Sequence, residues 1–188
     1  RMVFTSFAFL FLVLPVFLAG YAAAGTQRHR NLWLFLCSLV FYGWGRPYWV
    51  LIMLASTVLD FSVALAMGAR EQNRPHRRAW LVFSIVANLG LLGWFKYANF
   101  FVHSIEAALG TTYGWTDLLL PVGISFYTFQ SMSYTVDVYR RVLRPESRLT
   151  VFALFVSFFL QLVAGPIVRA RDFLWQVQVP KHPRGPRL

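Results

Sequence analysis

The sequence predicts an all-α, polytopic transmembrane helical protein of about five to six membrane segments, the last one broken or re-entrant. Three observations carry this expectation. Hydrophobic residues make up 57% of the 188 residues and charged residues only 13%, about half the charge of an ordinary soluble domain. The apolar residues fall in runs near the 20 or so that a helix needs to cross hydrocarbon. The net charge of +11 sits mainly in short loops between those runs. High hydrophobicity and low charge exclude a disordered chain, and so small a soluble body could not hide that much apolar surface. Basic loops of this kind orient membrane helices and attract anionic headgroups, so no nucleic-acid partner is expected despite the basic balance. The single cysteine, Cys37, lies in an apolar run. It reads as a small buried hydrophobe, with no intrachain disulfide or cysteine metal site.

The first run is Phe4 to Gly25. Pro15 removes a backbone donor and predicts a kink. Its end, Tyr21 to Gly25, is like a signal-peptide cleavage region, but the run is long for a signal core and further spans follow. The second run, Leu32 to Tyr42, would rise only about 17 Å as a helix before Gly43-Trp44-Gly45-Arg46-Pro47 breaks it. The third, Tyr48 to Met67, spans easily. The fourth, Trp80 to Tyr97, can continue as helix to Leu109. The fifth covers Leu118 to Tyr139. The sixth, Val151 to Val168, is interrupted by Gly165-Pro166.

Basic residues follow run one (Arg28, Arg30), run three (Arg70, Arg74, Arg77, Arg78) and run five (Arg140, Arg141, Arg144, Arg148). If each run crosses once, these loops share one side, which the positive-inside rule makes cytoplasmic, with the N-terminus outside. The basic tail, with Arg169, Arg171 and Lys181, would break this pattern if run six crossed. Run six is therefore expected to turn back at Gly165-Pro166. Trp44, Tyr48, Trp49, Trp80, Trp94, Tyr97, Tyr113 and Trp115 lie near run ends, as interfacial belts do.

Polar residues within the runs are the candidates for function or for helix contacts. Asp60 costs about 2.5–3.5 kcal/mol at a helix centre. It reads as a relay residue or, with Ser56, Thr57 and Ser62 nearby, as a polar helix contact. Lys96 can snorkel to the interface. Asp137 has Arg140 and Arg141 at the helix-pair spacings. Asn88, Asn99, Gln130 and Gln161 each call for a partner inside the bundle. His29, His76 and His182 stand in basic, solvated segments, and His103 reads as interfacial. No Ser/His/Asp constellation, phosphate loop or metal cluster occurs, so no catalytic residue and no metal is assigned.

Several blocks, in order, resemble the membrane-bound O-acyltransferase family in its alginate O-acetyltransferase-like branch. They begin with Met2-Val3-Phe4-Thr5-Ser6-Phe7. Next come Asn31-Leu32-Trp33-Leu34 and Phe41-Tyr42-Gly43-Trp44-Gly45, then Phe95-Lys96-Tyr97-Ala98-Asn99-Phe100-Phe101. The most specific is Leu120 to Gln130 with Ser133 to Arg140. Gln161 to Ile167 with Arg169, Arg171, Asp172 and Phe173 closes the set. Leu160 and Trp175 stand where the family commonly has proline. The resemblance covers residues 2–176 as the N-terminal half of such a transmembrane domain and leaves 177–188 as an unmatched, disordered tail.

The resemblance implies acetyl transfer from a cytoplasmic donor, either acetyl-CoA or an acyl carrier, to hydroxyls of an exported polysaccharide such as alginate. The donor would act as substrate, with no bound cofactor. It further implies the bacterial inner membrane and periplasmic or membrane acetylation partners. The family's catalytic histidine lies on a later segment, so the chain is expected to be a fragment inactive alone. Its expected channel-wall residues are Lys96, Asn99, Ser125, Gln130, Tyr134, Asp137 and Gln161. The alternative from residues alone is a non-enzymatic multi-pass protein, a small transporter or scaffold subunit, motivated by Asp60 and the broken sixth run.

Overall fold

The computed structural model describes residues 7, 9–44, 46–69, 73–159, 161 and 168–179, which form seven α-helices and no strand. α1 (Leu14–Ala23) follows a π-helical turn at Phe9–Val13. Pro15 lies in the first turn of α1, where a missing N–H costs no helical bond. The expected kink is thus a change of helix type. α2 (Gln27–Gly43) begins earlier than its apolar run because Thr26 caps it, its Oγ1 accepting from the His29 N–H at 3.3 Å. Trp33 of α2 reaches back to α1, donating from Nε1 to the Phe17 carbonyl at 3.1 Å.

α3 (Tyr48–Ala69) and α4 (Arg74–Leu109) are the two described helices long and apolar enough to cross a membrane. α4 has 36 residues, about 54 Å of helix, well beyond a hydrocarbon core of about 30 Å. Asn73 caps its start, accepting from the His76 N–H at 3.1 Å, and Gly110 ends it with φ 64°.

The fifth and sixth runs differ from expectation. α5 is Ile124–Tyr139, not Leu118 onward. Pro121 and Gly123, whose φ of 74° is a left-handed turn conformation that favours glycine, hold the preceding residues out of the helix. α6 is only Leu149–Ser157, because Phe158 swings to ψ 107°. The proposed break at Gly165-Pro166 lies outside the described residues, as do residues 180–188 of the expected tail. α7 (Ala170–Gln178) buries Ala170, Phe173 and Leu174 and exposes Arg171, Asp172 and Trp175. By length and hydropathy, two helices among the described residues are long enough and apolar enough to cross a membrane.

α3, α4 and α5 pack on one another, and α6 lies against α2 and α3. The core they enclose includes Met53, Val63, Met67, Tyr127, Tyr134, Phe152 and Phe155. The basic segments converge at one end of this bundle. Arg77 of α4 donates through Nη2 to the Val138 and Tyr139 carbonyls, both at 2.8 Å. Pro145 packs on Gly68 so closely that a Cβ there would sit 2.5 Å from its Cγ. Gln27 and Asn31 of α2 both donate to the Val177 carbonyl of α7 at 3.1 Å, and Gln178 of α7 donates to Glu146. The chain therefore enters α6 from this end and is back at the same end by α7.

Candidate functional site

The bundle interior is polar along one stripe. α5 buries Tyr127, Thr128, Gln130, Ser131, Tyr134 and Thr135, residues spaced to share a helix face. It turns Phe129 and Ser133 outward. An amphipathic helix of a soluble protein would keep such amides and hydroxyls on its outer face. Three polar nodes sit in or beside this stripe.

In the first node Asp60 of α3 is fully buried. Its Oδ1 accepts from Ser84 Oγ at 2.6 Å and from Asn88 Nδ2 at 2.8 Å, and its Oδ2 accepts from Asn88 at 3.0 Å. Ser84 and Asn88 are one helical turn apart on α4, so both meet one carboxyl. Ser56, Thr57 and Ser62, the expected neighbours, bond within their own helix instead, to the carbonyls of Met53, Met53 and Val58. The need of a Ser or Thr hydroxyl for an acceptor is met by the preceding turn.

The second node joins two expected residues. Gln130 Nε2 donates to Gln161 Oε1 at 3.2 Å and to the Phe155 carbonyl at 2.9 Å. Phe155 stands in the last turn of α6, where carbonyls lose their helical partners, and Gln130 supplies one. Gln130 Oε1 and the hydroxyls of Thr128 and Ser157 are buried without a hydrogen-bond partner among the described residues. In the third node Tyr134 is fully buried, packs its ring 4.5 Å from that of Phe152, and accepts from the Glu146 N–H at 2.8 Å. Glu146 in turn accepts from the Arg148 N–H and Nε at 3.0 and 3.2 Å.

The remaining candidates lie apart from these nodes. Asn99 grips the loop after α4, donating to the Leu118 carbonyl and accepting from the Leu118 N–H, both at 2.9 Å, and from Trp115 Nε1 at 3.0 Å. Lys96 is exposed on α4, its Nζ 5.4 Å from the Tyr97 ring. Ser125 is half-buried in the first turn of α5. Asp137 is half-buried, and no ion pair links it to Arg140 among the described residues. α5 ends at Tyr139 and Arg141 takes φ 63°.

Two residues escape a reading of sequence alone. Arg77 looks like loop charge but is 4% exposed and closes the carboxyl end of α5, where a cation also complements the helix dipole. Ser84 carried no signal beyond its four-residue spacing to Asn88. Of the histidines described, His29 and His103 are exposed and His76 is half-buried, taking a 2.8 Å hydrogen bond from Trp80. His103 lies between two carboxylates, with Nε2 2.7 Å from Asp117 and Nδ1 3.2 Å from Glu106. The bond to Asp117, then that to Glu106, raises its pKa above the ordinary histidine value. The described interior thus offers hydrogen-bonding amides and hydroxyls, with two carboxyls, Asp60 and Glu146, each accepting hydrogen bonds from its neighbours. No group of three or more metal-ligating side chains occurs among the described residues.

No family model matches the chain, and no solved structure does. Curated relatives do. The chain is 44% identical over 180 residues to the probable alginate O-acetylase of Pseudomonas aeruginosa, covering 93% of this chain and 34% of that protein. It is 43% identical over 180 residues to the probable alginate O-acetylase of Azotobacter vinelandii, covering 36% of it. It is 32% identical over 203 residues to the peptidoglycan O-acetyltransferase of Helicobacter pylori, covering 38% of it. The chain spans about a third of the length of these relatives. With the ordered blocks and the buried stripe of α5 in place, similarity over 93% of its length makes the chain a member of the membrane-bound O-acyltransferase family in its alginate O-acetylase branch, matching part of such a protein.

Proposed function

We propose that the chain is part of a membrane O-acyltransferase moving acetyl groups from a cytoplasmic donor, acetyl-CoA or an acyl carrier, to hydroxyls of an exported polysaccharide such as alginate. The observation that carries this reading is the continuous similarity to O-acetylating enzymes over 93% of the chain. The inward-facing polar stripe of α5 supports it. Within that reading, Gln130, Thr128, Gln161 and Tyr134 form wall positions able to bond an acyl carbonyl or a sugar hydroxyl. Asn99 holds the loop at the far end, where Lys96 and Ser125 line the approach, and Asp137 lies toward the basic end. The part in hand positions substrate, and the base that deprotonates the acceptor comes from the remainder of the enzyme. The acetylation partners act with that whole enzyme in the inner membrane.

The topology proposed is multi-pass, with the basic end cytoplasmic and the α6–α7 segment re-entrant. The return of α7 to the end from which α6 starts supports it. For the transporter alternative, the Asp60 carboxyl, one of its two motives, is already engaged by Ser84 and Asn88.

The test is a chimera. Residues 2–176 replace the matching third of the Pseudomonas aeruginosa alginate O-acetylase in cells lacking that protein. Acetylated alginate is expected from the chimera and none from the present chain alone. A chimera that reaches the membrane in wild-type amount and yields no acetylated polymer overturns the reading.

A further inference from the structure

A groove of about 870 Å³ opens at the basic end, lined by Arg74, Pro75, Arg78, Ala79, Val82, Phe83, Val86 and Tyr139. Its two parts differ in chemistry. At the rim stand two arginines one turn apart on α4, which share a helix face. Both are exposed, and neither is among the ion pairs of the described residues. Below them α4 presents Val82, Phe83 and Val86, each at least half exposed, with Tyr139 of α5 as the side wall. From Arg78 to Val86 the helix rises about 12 Å. The arginines lie in the first two turns of α4, so the amino end of that helix adds partial positive charge to theirs.

We infer that this groove is a binding site for one anionic phospholipid, its phosphate held by Arg74 and Arg78 and its upper acyl chain laid along Val82, Phe83 and Val86. Guanidinium pairs hold phosphate oxygens in fixed geometry. An apolar wall directly beneath them matches a lipid and does not match a free anion. The groove also explains why Arg77, between the two, behaves differently. It points inward to the α5 carbonyls, leaving its neighbours to face the bilayer. The proposal needs only that the chain is embedded in lipid, so it stands or falls separately from acetyl transfer.

Purified chain in neutral detergent is titrated with dioleoylphosphatidylglycerol or with dioleoylphosphatidylcholine, and bound lipid is counted by native mass spectrometry. An arginine at a membrane surface is worth about fivefold in affinity for anionic lipid. The chain should hold one phosphatidylglycerol about twentyfold more tightly than phosphatidylcholine. Arg74→Gln with Arg78→Gln should abolish the preference. Arg140→Gln with Arg144→Gln, an equal charge loss outside the groove lining, should keep it. Val82→Trp, at a lipid-facing position, should weaken binding of both lipids by filling the groove. The proposal is overturned if the chain shows no preference, or if the two double variants lose it equally. It is also overturned if Val82→Trp changes nothing, or if inorganic phosphate displaces the lipid.

Discussion

Ser84 Oγ donates to Asp60 Oδ1 at 2.6 Å across the α3–α4 contact. Both groups are fully buried, so neither can turn to water if the other is lost. Buried polar pairs of this kind fix which faces of two apolar helices meet. Lipid-soluble helices otherwise have little to choose between rotations about their own axes.

Coupling between Asp60 and Asn88 should be measurable. In a double-mutant cycle with Asp60→Ala and Asn88→Ala, unfolding of the detergent-solubilised chain should give an interaction of about 0.6–1.7 kcal/mol. Additive effects of the two changes would show that the contact contributes nothing.

Gln130→Leu removes the donor that serves the Phe155 carbonyl and Gln161. A loss of about 1 kcal/mol is expected, together with faster amide hydrogen exchange at Gln161, whose N–H bonds the Phe158 carbonyl at 2.9 Å. Gln130→Glu should be worse, since a carboxylate also cannot donate and sets a buried negative charge against both acceptor oxygens.

Arg77→Lys should not substitute for the guanidinium. Nη2 serves two carbonyls at the end of α5, and a lysine ammonium, on a shorter and more strongly hydrated side chain, reaches them less well. A destabilisation of about 1.5–3 kcal/mol in the same unfolding assay is expected for Arg77→Met, with Arg77→Lys intermediate. Equal stability of all three would remove the capping role.

Gly68→Leu should destabilise α3 against the loop that follows α5. Even one added carbon would meet Pro145 Cγ at 2.5 Å, and overpacking of this kind costs about 1–3 kcal/mol. Gly93→Leu, where a Cβ meets nothing within 4 Å, is the control and should be tolerated.

The loop after α4 should be sensitive to pH. His103 bonds Asp117 from the loop and Glu106 from its own helix, and Glu106 also accepts from the Tyr113 N–H at 2.7 Å. The folded pKa of His103 is raised, so its contribution is complete below the ordinary histidine value and is lost as pH rises through the raised one. Amide exchange of Tyr113 and Leu118 should therefore speed up on going from about pH 6 to about pH 9 by more than the intrinsic rate. His103→Gln should abolish that excess.

Much of the helical order was readable because an apolar run states its own length. Run three and run four became α3 and α4, and Asn99 found the partner its type demanded. The start of α5 was also written in the sequence, in Pro121 and Gly123, but hydropathy counts Leu118 to Val122 the same in helix or loop. The short α6 was not readable at all, since nothing about Phe158 marks a break. Arg77 was misplaced for a related reason. Its burial depends on carbonyls 61 and 62 residues away, and no local pattern reports a distant helix end. The Gln130–Gln161 pair was foreseen as two residues in need of partners, not as partners of each other.

The reversed dressing of α5 has a consequence for how the protein is made. A helix that hides its hydroxyls and amides among neighbours is a poor candidate to leave the translocon by itself. α3 and α4, richer in aliphatic residues and earlier in synthesis, should reach the lipid first and offer the surface on which it docks. Biogenesis of this chain is accordingly expected to be sequential, the first hydrophobic pair preparing a berth for a less oily successor.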